Sequence, residues 1–406
     1  MSIGRRALRL GARLAVAGLL LGWIFHSIFV NEARQAAHQH RLLAADGQLV
    51  RWETLSRFAQ WRYGWSYGPP ALWASLRSID SGLLALSFGL MGSTLVLGVV
   101  RWRMALAVQG LHLSFSRALE ISLVAHFFNS FLLGTAGGDL LKAYYAARET
   151  HHKKTEAVVT VVVDRLMGLW SMLLFAGLMI GPNWRLFEKP GLRAPTALLS
   201  LMLLLASGFL LVAFRGGVSR AWPAARQWLR RLPKGAYLER SLDSCRQFGR
   251  HPTFLIRVLG LSMLINVAVV LQFWVVARGL GLEVSWLALG LIVPMIVCVA
   301  ALPITPSGLG VRENLFVYAL AAPALGVDAT PALSLSLLGY AGSLFWSLVG
   351  GVVYLTLRQR HHLAEADLEA QAETDQTPNS GQPELQQVEL TTADPDDSSG
   401  IRHRPA

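Results

Sequence analysis

Charge is scarce in this sequence. Asp, Glu, Lys and Arg make up 15% of its 406 residues, against about 25% in an ordinary soluble domain. Cysteine is nearly missing. Cys245 and Cys298 are the two present, which excludes a disulfide framework and a cysteine-based metal centre. There is no Gly-rich phosphate loop ending in lysine, no Gly-x-Ser-x-Gly elbow and no two-histidine zinc motif. An ATP-driven machine or a hydrolase therefore has no support in the chain, and a membrane transferase lacks the nucleophile or metal it would need. His151 and His152 stand in a basic loop beside Lys153 and Lys154, without further ligands at metal spacing. The expectation is a non-enzyme with no cofactor and no metal.

What fills the chain instead is apolar sequence. It is 53% hydrophobic, with a mean hydropathy of +0.42. About twenty apolar residues span the hydrocarbon as a helix. Blocks of that kind are Leu10–Val30, Ser81–Val100, Ala157–Gly181, Ala197–Phe214, Leu255–Ala277 and Leu333–Leu357. Two further blocks are interrupted. One runs from Ala118 to about Ala147 and breaks at Gly134–Gly138. The other runs from Trp286 to Leu325 and breaks at "PITPSGLGVRE", Pro303–Glu313. The fold class is an all-α polytopic membrane protein, with about six full spans and two broken re-entrant hairpins.

Charge fixes the orientation. Residues 362–406 hold ten Asp or Glu and two Arg, a net of −8; the remainder holds 35 basic and 15 acidic groups, a net of +20. The basic groups sit in short segments beside the spans, as the positive-inside rule requires, so the pI near 10.3 is not a nucleic-acid signature. Arg5, Arg6, Arg9 and Arg13 keep the N-terminus cytoplasmic. Arg101, Arg103 and Arg117 follow the second span, and Lys142, Arg148, Lys153 and Lys154 follow the first interrupted block. Both clusters want the cytoplasm, so the block between them crosses an even number of times, as a hairpin does. Arg215–Arg257 carries ten basic groups against Glu239 and Asp243 and is placed inside too. The second interrupted block then dips in from outside, and Arg358 and Arg360 close the last span on the cytoplasmic side.

The resulting organisation is a signal-anchor helix over 1–30, an outer segment over 31–80 and a transmembrane domain over 81–361. That domain has halves at about 81–214 and 254–361, joined by the basic loop 215–253. An acidic tail, 362–406, is poor in apolar residues and reads as disordered. Trp52, Trp61, Tyr63, Trp65, Tyr67 and Trp73 crowd the outer segment. They predict a surface-lying helix with its aromatics at the membrane interface, or a binding surface.

The halves resemble each other. "QGLHLSFS", Gln109–Ser116, lies on "RGLGLEVS", Arg278–Ser285, at an offset of 169. "LLGTAGGDLLK" lies on "LPITPSGLGVR" at an offset of 170, which sets Thr135 on Thr305, Gly138 on Gly308 and Lys142 on Arg312. Three crossings separate the halves if a hairpin counts as none, so the repeat is inverted, with a site expected near the midplane at the broken helices.

Glycines at a break let the backbone leave the helix. Irregular backbone at that depth belongs in protein or in a wet cavity. A helix N-terminus after a break offers free N–H groups and partial positive charge to an anion. Lys142 and Arg312 add full charges. The expected headgroup site comprises Asn129, Thr135, Gly137, Gly138, Asp139, Lys142, Thr305, Gly308, Gly310, Arg312 and Glu313. Asp139 caps the helix after the break, pairs with Lys142, or binds ligand directly. Asn129 bridges helices or satisfies the freed backbone. Asp164 and Arg165 interrupt the span "VVTVVVDRLMGLWSMLLF", where each charge costs roughly 2.5–3.5 kcal/mol. Neighbours in sequence do not face each other on a helix, so each needs a partner on another element, for gating or coupling or as a structural ion pair.

These motifs also carry a family resemblance. "FFNSFLLGTAGGDLLKAYYAARE", then "TVVVDRLMGL", then "LPITPSGLGVRE" resemble the lysylphosphatidylglycerol synthase transmembrane-region family, also called flippase-like. The matching positions are Asn129, Gly137, Gly138, Asp139, Lys142, Asp164, Arg165, Gly168, Pro303, Gly308, Gly310 and Glu313, across roughly Ser81–Leu357. Leu133 stands where many relatives have Pro, and Lys142 where many have Arg. The resemblance implies translocation of lipid between leaflets. No synthase domain is present in this sequence, so lysyl-lipid synthesis and lysyl-phosphatidylglycerol as cargo do not carry over. The leading expectation is a stand-alone flippase in a bacterial-type inner membrane, moving an anionic or glycosylated lipid, polyprenyl-linked lipids included. The alternative is a non-transporting partner that scaffolds a lipid-modifying enzyme or glycosyltransferase, with Arg215–Arg257 and the tail as docking surfaces.

Overall fold

The computed structural model describes residues 3–38, 49–131, 137–149, 153–182, 193–215, 244–302, 305–322 and 325–376. Helices dominate these residues, as the apolar blocks demand. They are α1 (Ile3–His38), α2 (Arg57–Arg77), α3 (Ser81–Val108), α4 (Phe115–Phe131), α5 (Gly137–Glu149) and α6 (Lys154–Ile180), followed by α7 (Arg193–Arg215), α8 (Pro252–Gly279), α9 (Trp286–Ala300), α10 (Val311–Leu320) and α11 (Ala329–Gln376). Among the described residues, five helices are long and apolar enough to cross a bilayer: α3, α6, α7 over Ala197–Phe214, α8, and α11 over Ala329–Thr356. The sixth expected span, Leu10–Val30, lies within α1, whose 36 residues reach about 54 Å. The chain is a polytopic all-α membrane protein.

Each interrupted block is a pair of short helices in mutual contact, α4 with α5 and α9 with α10. The second arms have 13 and 10 residues, which is about 20 and 15 Å of helix. Neither reaches across a hydrocarbon layer of about 30 Å. The ends of the first pair show its path. Arg117, in the first turn of α4, donates from Nε and Nη2 to Glu149 at the end of α5, at 2.8 and 2.6 Å. Lys153 Nζ, just before α6, donates to the Gln109 carbonyl just after α3 at 3.0 Å. The end of α3 and the approach to α6 therefore lie together, and so do the start of α4 and the end of α5. In the second half, Val327 at the approach to α11 donates its N–H to the last residue of α10, Leu320, at 3.1 Å. Leu282, Trp286, Leu325 and Val327 pack together around Phe273, Val276, Phe316 and Leu335.

The two stretches that the sequence sets on each other share one turn geometry, in a shifted register. Gly110 follows α3 with φ of 67° and Gly281 follows α8 with φ of 71°, a conformation glycine enters without Cβ strain. The next residue closes the turn both times: Leu111 N–H returns to Leu106 O at 3.0 Å, and Leu282 N–H to Ala277 O at 2.9 Å. Ser114 Oγ then accepts the Arg117 N–H at 3.2 Å, and Ser285 Oγ accepts the Ala288 N–H at 3.1 Å. These pairs lie 171 residues apart, "GLHLS" on "GLEVS". The offset of 169 is corrected by two, because the turn is defined by the left-handed glycine and the capping serine and not by the Gly-Leu dipeptides inside the helix end. Helices α3 and α8, which precede these turns, pack antiparallel: Asp80, beside the start of α3, donates its N–H to Gly279 O at the end of α8, at 3.0 Å.

The outer segment folds onto α1. A Cβ on Gly68 would run into the Phe29 ring, and one on Gly64 would meet Val30, so α2 approaches α1 at glycine distance. Trp52, expected at an interface, is buried with Ala33, Ala36, Ala37 and Val50, whereas Trp61, Trp65 and Trp73 remain exposed. Ser75 and Ser334 hydroxyls, 2.9 Å apart, join α2 to α11. At the other end, α11 extends to Gln376, into the segment expected to lack structure. Ala, Glu, Leu and Gln dominate that stretch, and all favour helix. Residues 39–48, most of the basic loop (216–243) and the tail beyond 376 lie outside the described residues.

Candidate functional site

At the first break α4 ends at Phe131 and α5 begins at Gly137. The Gly138 N–H, one of the donors a helix start leaves free, donates to Asn129 Oδ1 at 2.8 Å. Asn129 thus satisfies the freed backbone. A Cβ on Gly138 would collide with the Ala125 carbonyl, so glycine here is a matter of space: α5 starts against the backbone of α4.

One turn into α5 the charges begin. Asp139 accepts from Arg165 Nη1 on α6 at 2.5 Å, and among the described residues this is its ion pair, in place of one with Lys142. Lys142 Nζ lies 3.4 Å from Asp164 Oδ2 and 4.2 Å from the centre of the Trp102 ring, a cation–π contact. Asp164 Oδ1 accepts from Arg101 Nε at 2.8 Å. Arg101 also donates from Nη1 to Ser262 Oγ on α8 at 3.1 Å. Neighbouring Asp164 and Arg165 therefore do find partners on other elements, as helix geometry requires. Two groups therefore stand side by side, Arg101–Asp164–Lys142 joining α3, α5, α6 and, through Ser262, α8, and Arg165–Asp139 joining α6 to α5; together they form a network of three cations and two carboxylates. Gly168 makes room for it, since a Cβ there would lie 3.0 Å from Arg101 Nη2.

The second break is closed more tightly. Gly308 and Gly310 have φ of 70° and 80°, and a Cβ on Gly308 would press on Ala300. Glu313 Oε2 accepts the Gly310 N–H at 2.7 Å, and its other oxygen accepts from Arg312 Nη2. Arg312 lies 3.7 Å over the Tyr340 ring of α11. Thr305, Arg312 and Glu313 are 2%, 6% and 0% exposed. The Arg312 Nε and the Thr305 hydroxyl find no partner among the described residues.

The two breaks touch. Ser307 Oγ stands 2.9 Å from the Asn129 carbonyl and 2.9 Å from the Ser130 carbonyl, acceptors that the end of α4 leaves open. Ser307 has φ of 53° and is the one non-glycine residue with positive φ among those described. One hairpin tip thus supplies the donor that the other lacks.

A family model for the lysylphosphatidylglycerol synthase TM region matches residues 54–351, nearly three-quarters of the chain. The chain belongs to that family. The lysylphosphatidylglycerol synthase transmembrane region takes in α2 through the membrane-spanning part of α11, with both breaks and the whole ion network; α1 precedes it. No protein among the curated sequences compared matches this chain.

The residues expected at the site fall into separate groups in this transmembrane region: Asn129 with Gly138, Asp139 with Arg165, Lys142 with Asp164, and Gly310 and Arg312 with Glu313, the two breaks being joined at Ser307. Thr135 lies outside the described residues. Two expectations change. The Gly138 and Gly310 N–H groups are already taken by Asn129 and Glu313, because a freed amide at such depth needs a protein partner. Arg101, read as an orientation signal beyond the span, lies inside α3, which continues to Val108; an arginine there needs an anion, and Asp164 is that anion. Trp102 and Ser262 were not anticipated. The signal that could have found Arg101 is the apolar sequence that resumes after it, up to Val108, whereas Ser262 carries no sequence signal.

Proposed function

We propose that this chain is a lipid flippase and not an enzyme: it moves an anionic or glycosylated lipid, polyprenyl-linked lipids included, between the leaflets of a bacterial-type inner membrane, with both termini cytoplasmic. The observation that carries the reading is the contact of the two breaks at Ser307 and Asn129. Two hairpins from antiparallel halves meet tip to tip beside a network of ionised groups. Antiparallel packing of α3 on α8 is what an inverted repeat requires, and inverted repeats support movement of one half against the other around a central site. Intramembrane charges default to function, and membership of the transmembrane-region family supports lipid as the cargo.

Reconstitution into proteoliposomes tests it. A headgroup-labelled phospholipid in the inner leaflet should reach an external quencher faster than in protein-free vesicles. Arg165→Ala and Lys142→Ala should abolish the increase while the variants elute as folded protein. Translocation equal to that of protein-free vesicles would contradict the transport reading, and unimpaired variants would contradict the site.

A further inference from the structure

The three cations of the network are not equally committed. Arg101 spends Nε on Asp164 and Nη1 on Ser262. Lys142 is held by Asp164 and the Trp102 face. Among the described residues Arg165 makes one hydrogen bond, from Nη1 to Asp139. A guanidinium has five N–H donors in a planar fork, so four on Arg165 have no partner among the described residues. The Arg165 and Asp139 side chains are also the most exposed of the network, at 33% and 26%, against 11–13% for Arg101, Lys142 and Asp164.

We propose that a monoanionic phosphodiester headgroup binds at Arg165 by taking the place of Asp139. This rests on the lipid-carrier reading but names the chemistry of the cargo and the residue that selects it. Three lines of physical reasoning converge. Arg165 and Asp139 balance each other, and the adjoining group holds two cations, Arg101 and Lys142, against the one carboxylate of Asp164, so the cluster as a whole carries one positive charge, which a single phosphodiester cancels. The planar fork of arginine binds phosphate through two parallel N–H···O bonds, and Arg165 has the donors to make them. The exchange is also asymmetric. Released Asp139 sits in the first turn of α5, where the helix N-terminus stabilises a carboxylate. Arg165 is in the apolar run of α6 and requires an anion wherever the hairpin moves. Asp139 is thus the anion that holds Arg165 while no lipid is bound, and Asp164 keeps Arg101 and Lys142 in place throughout.

Lipid retention tests this without depending on transport. The full chain is purified in detergent supplemented with equal phosphatidylglycerol and phosphatidylcholine, and the retained lipids are quantified by mass spectrometry. Wild type should retain phosphatidylglycerol preferentially. Removing the competing carboxylate with Asp139→Asn should raise the phosphatidylglycerol to phosphatidylcholine ratio by about tenfold, the scale of one charge-assisted hydrogen bond. Arg165→Gln, and Asp139→Asn combined with Arg165→Gln, should both return the ratio of the supplied mixture. The double variant also controls for folding, since two neutral amides can replace the ion pair. An unchanged or lowered ratio in Asp139→Asn overturns the exchange, as does a double variant that keeps the enrichment. Inorganic phosphate in excess should leave the ratio unaltered, and loss of the enrichment would make free phosphate the ligand and overturn the lipid assignment. Enrichment in Asp139→Asn, with wild-type vesicles that translocate nothing, would retain this binding site and remove the flippase reading alone.

Discussion

Ser307 donates to the backbone of Asn129 across the two halves of the chain, while the Asn129 side chain holds Gly138 across its own break. One residue of the first hairpin is thereby fastened at both ends: its carbonyl to the opposite tip, its amide oxygen to the helix that follows. The costs of breaking two helices inside an apolar bundle are met by these bonds.

Ser307 separates the bond from the strain. Its φ of 53° costs an L-residue about 1–2 kcal/mol that glycine does not bear. Ser307→Ala loses the hydroxyl and keeps the strain, and should lower unfolding free energy by about 1 kcal/mol. Ser307→Gly loses the same bond but relieves the strain, and should be the more stable of the two. Thermal unfolding of both variants in one detergent checks the order.

Asn129→Ala leaves the Gly138 N–H without its acceptor and should cost about 1–2 kcal/mol. Gly138→Ala should be worse, because its Cβ meets the Ala125 backbone carbonyl, which cannot rotate away. Folded yield and melting temperature should rank wild type, Asn129→Ala, Gly138→Ala in falling order.

Arg101→Ala leaves Asp164 with Lys142 alone. Breaking a buried pair by removing one partner costs about 3–5 kcal/mol, so this variant should be among the least stable single substitutions in α3. Pairing it with Asp164→Asn should recover a large part of the loss. A double-mutant cycle on thermal stability measures the coupling, and additive losses would contradict the pair.

The two capped turns share a left-handed glycine, Gly110 and Gly281, and should respond alike to losing it. Gly281 has open space where a Cβ would go, so Gly281→Ala reports backbone strain alone and should cost about 1 kcal/mol. Gly110→Ala should lose at least as much, since it has the same φ sign and its Cβ would also approach Lys153 Nζ at 3.2 Å. Chemical denaturation of the two variants makes the comparison.

Much of the molecule was legible before the structure. Apolar runs of span length announce themselves because lipid tolerates little else, and the two breaks stand out because glycine, proline and charge are costly there. The pairing of charges was not legible. Asp139 has a lysine three residues on, yet it takes Arg165 from another helix, a choice fixed by how α5 seats on α6. Arg101 was misread because α3 continues past the apolar run, so a charge at the edge of a hydropathy window lies inside the bundle. The match between the two turns depended on the φ of two glycines and the capping role of two serines, which letters alone do not distinguish from their neighbours.

The proposed transport moves one half against the other, and because Ser307 holds the two tips together at Asn129 and Ser130, it requires the tips to part. It is tested by joining them: Ser130→Cys with Ser307→Cys in a chain whose Cys245 and Cys298 are replaced, reconstituted into vesicles. With the cross-link formed and quantified, lipid translocation should fall to the protein-free rate and recover on reduction. Translocation that continues at the uncross-linked rate with the tips joined would contradict the account.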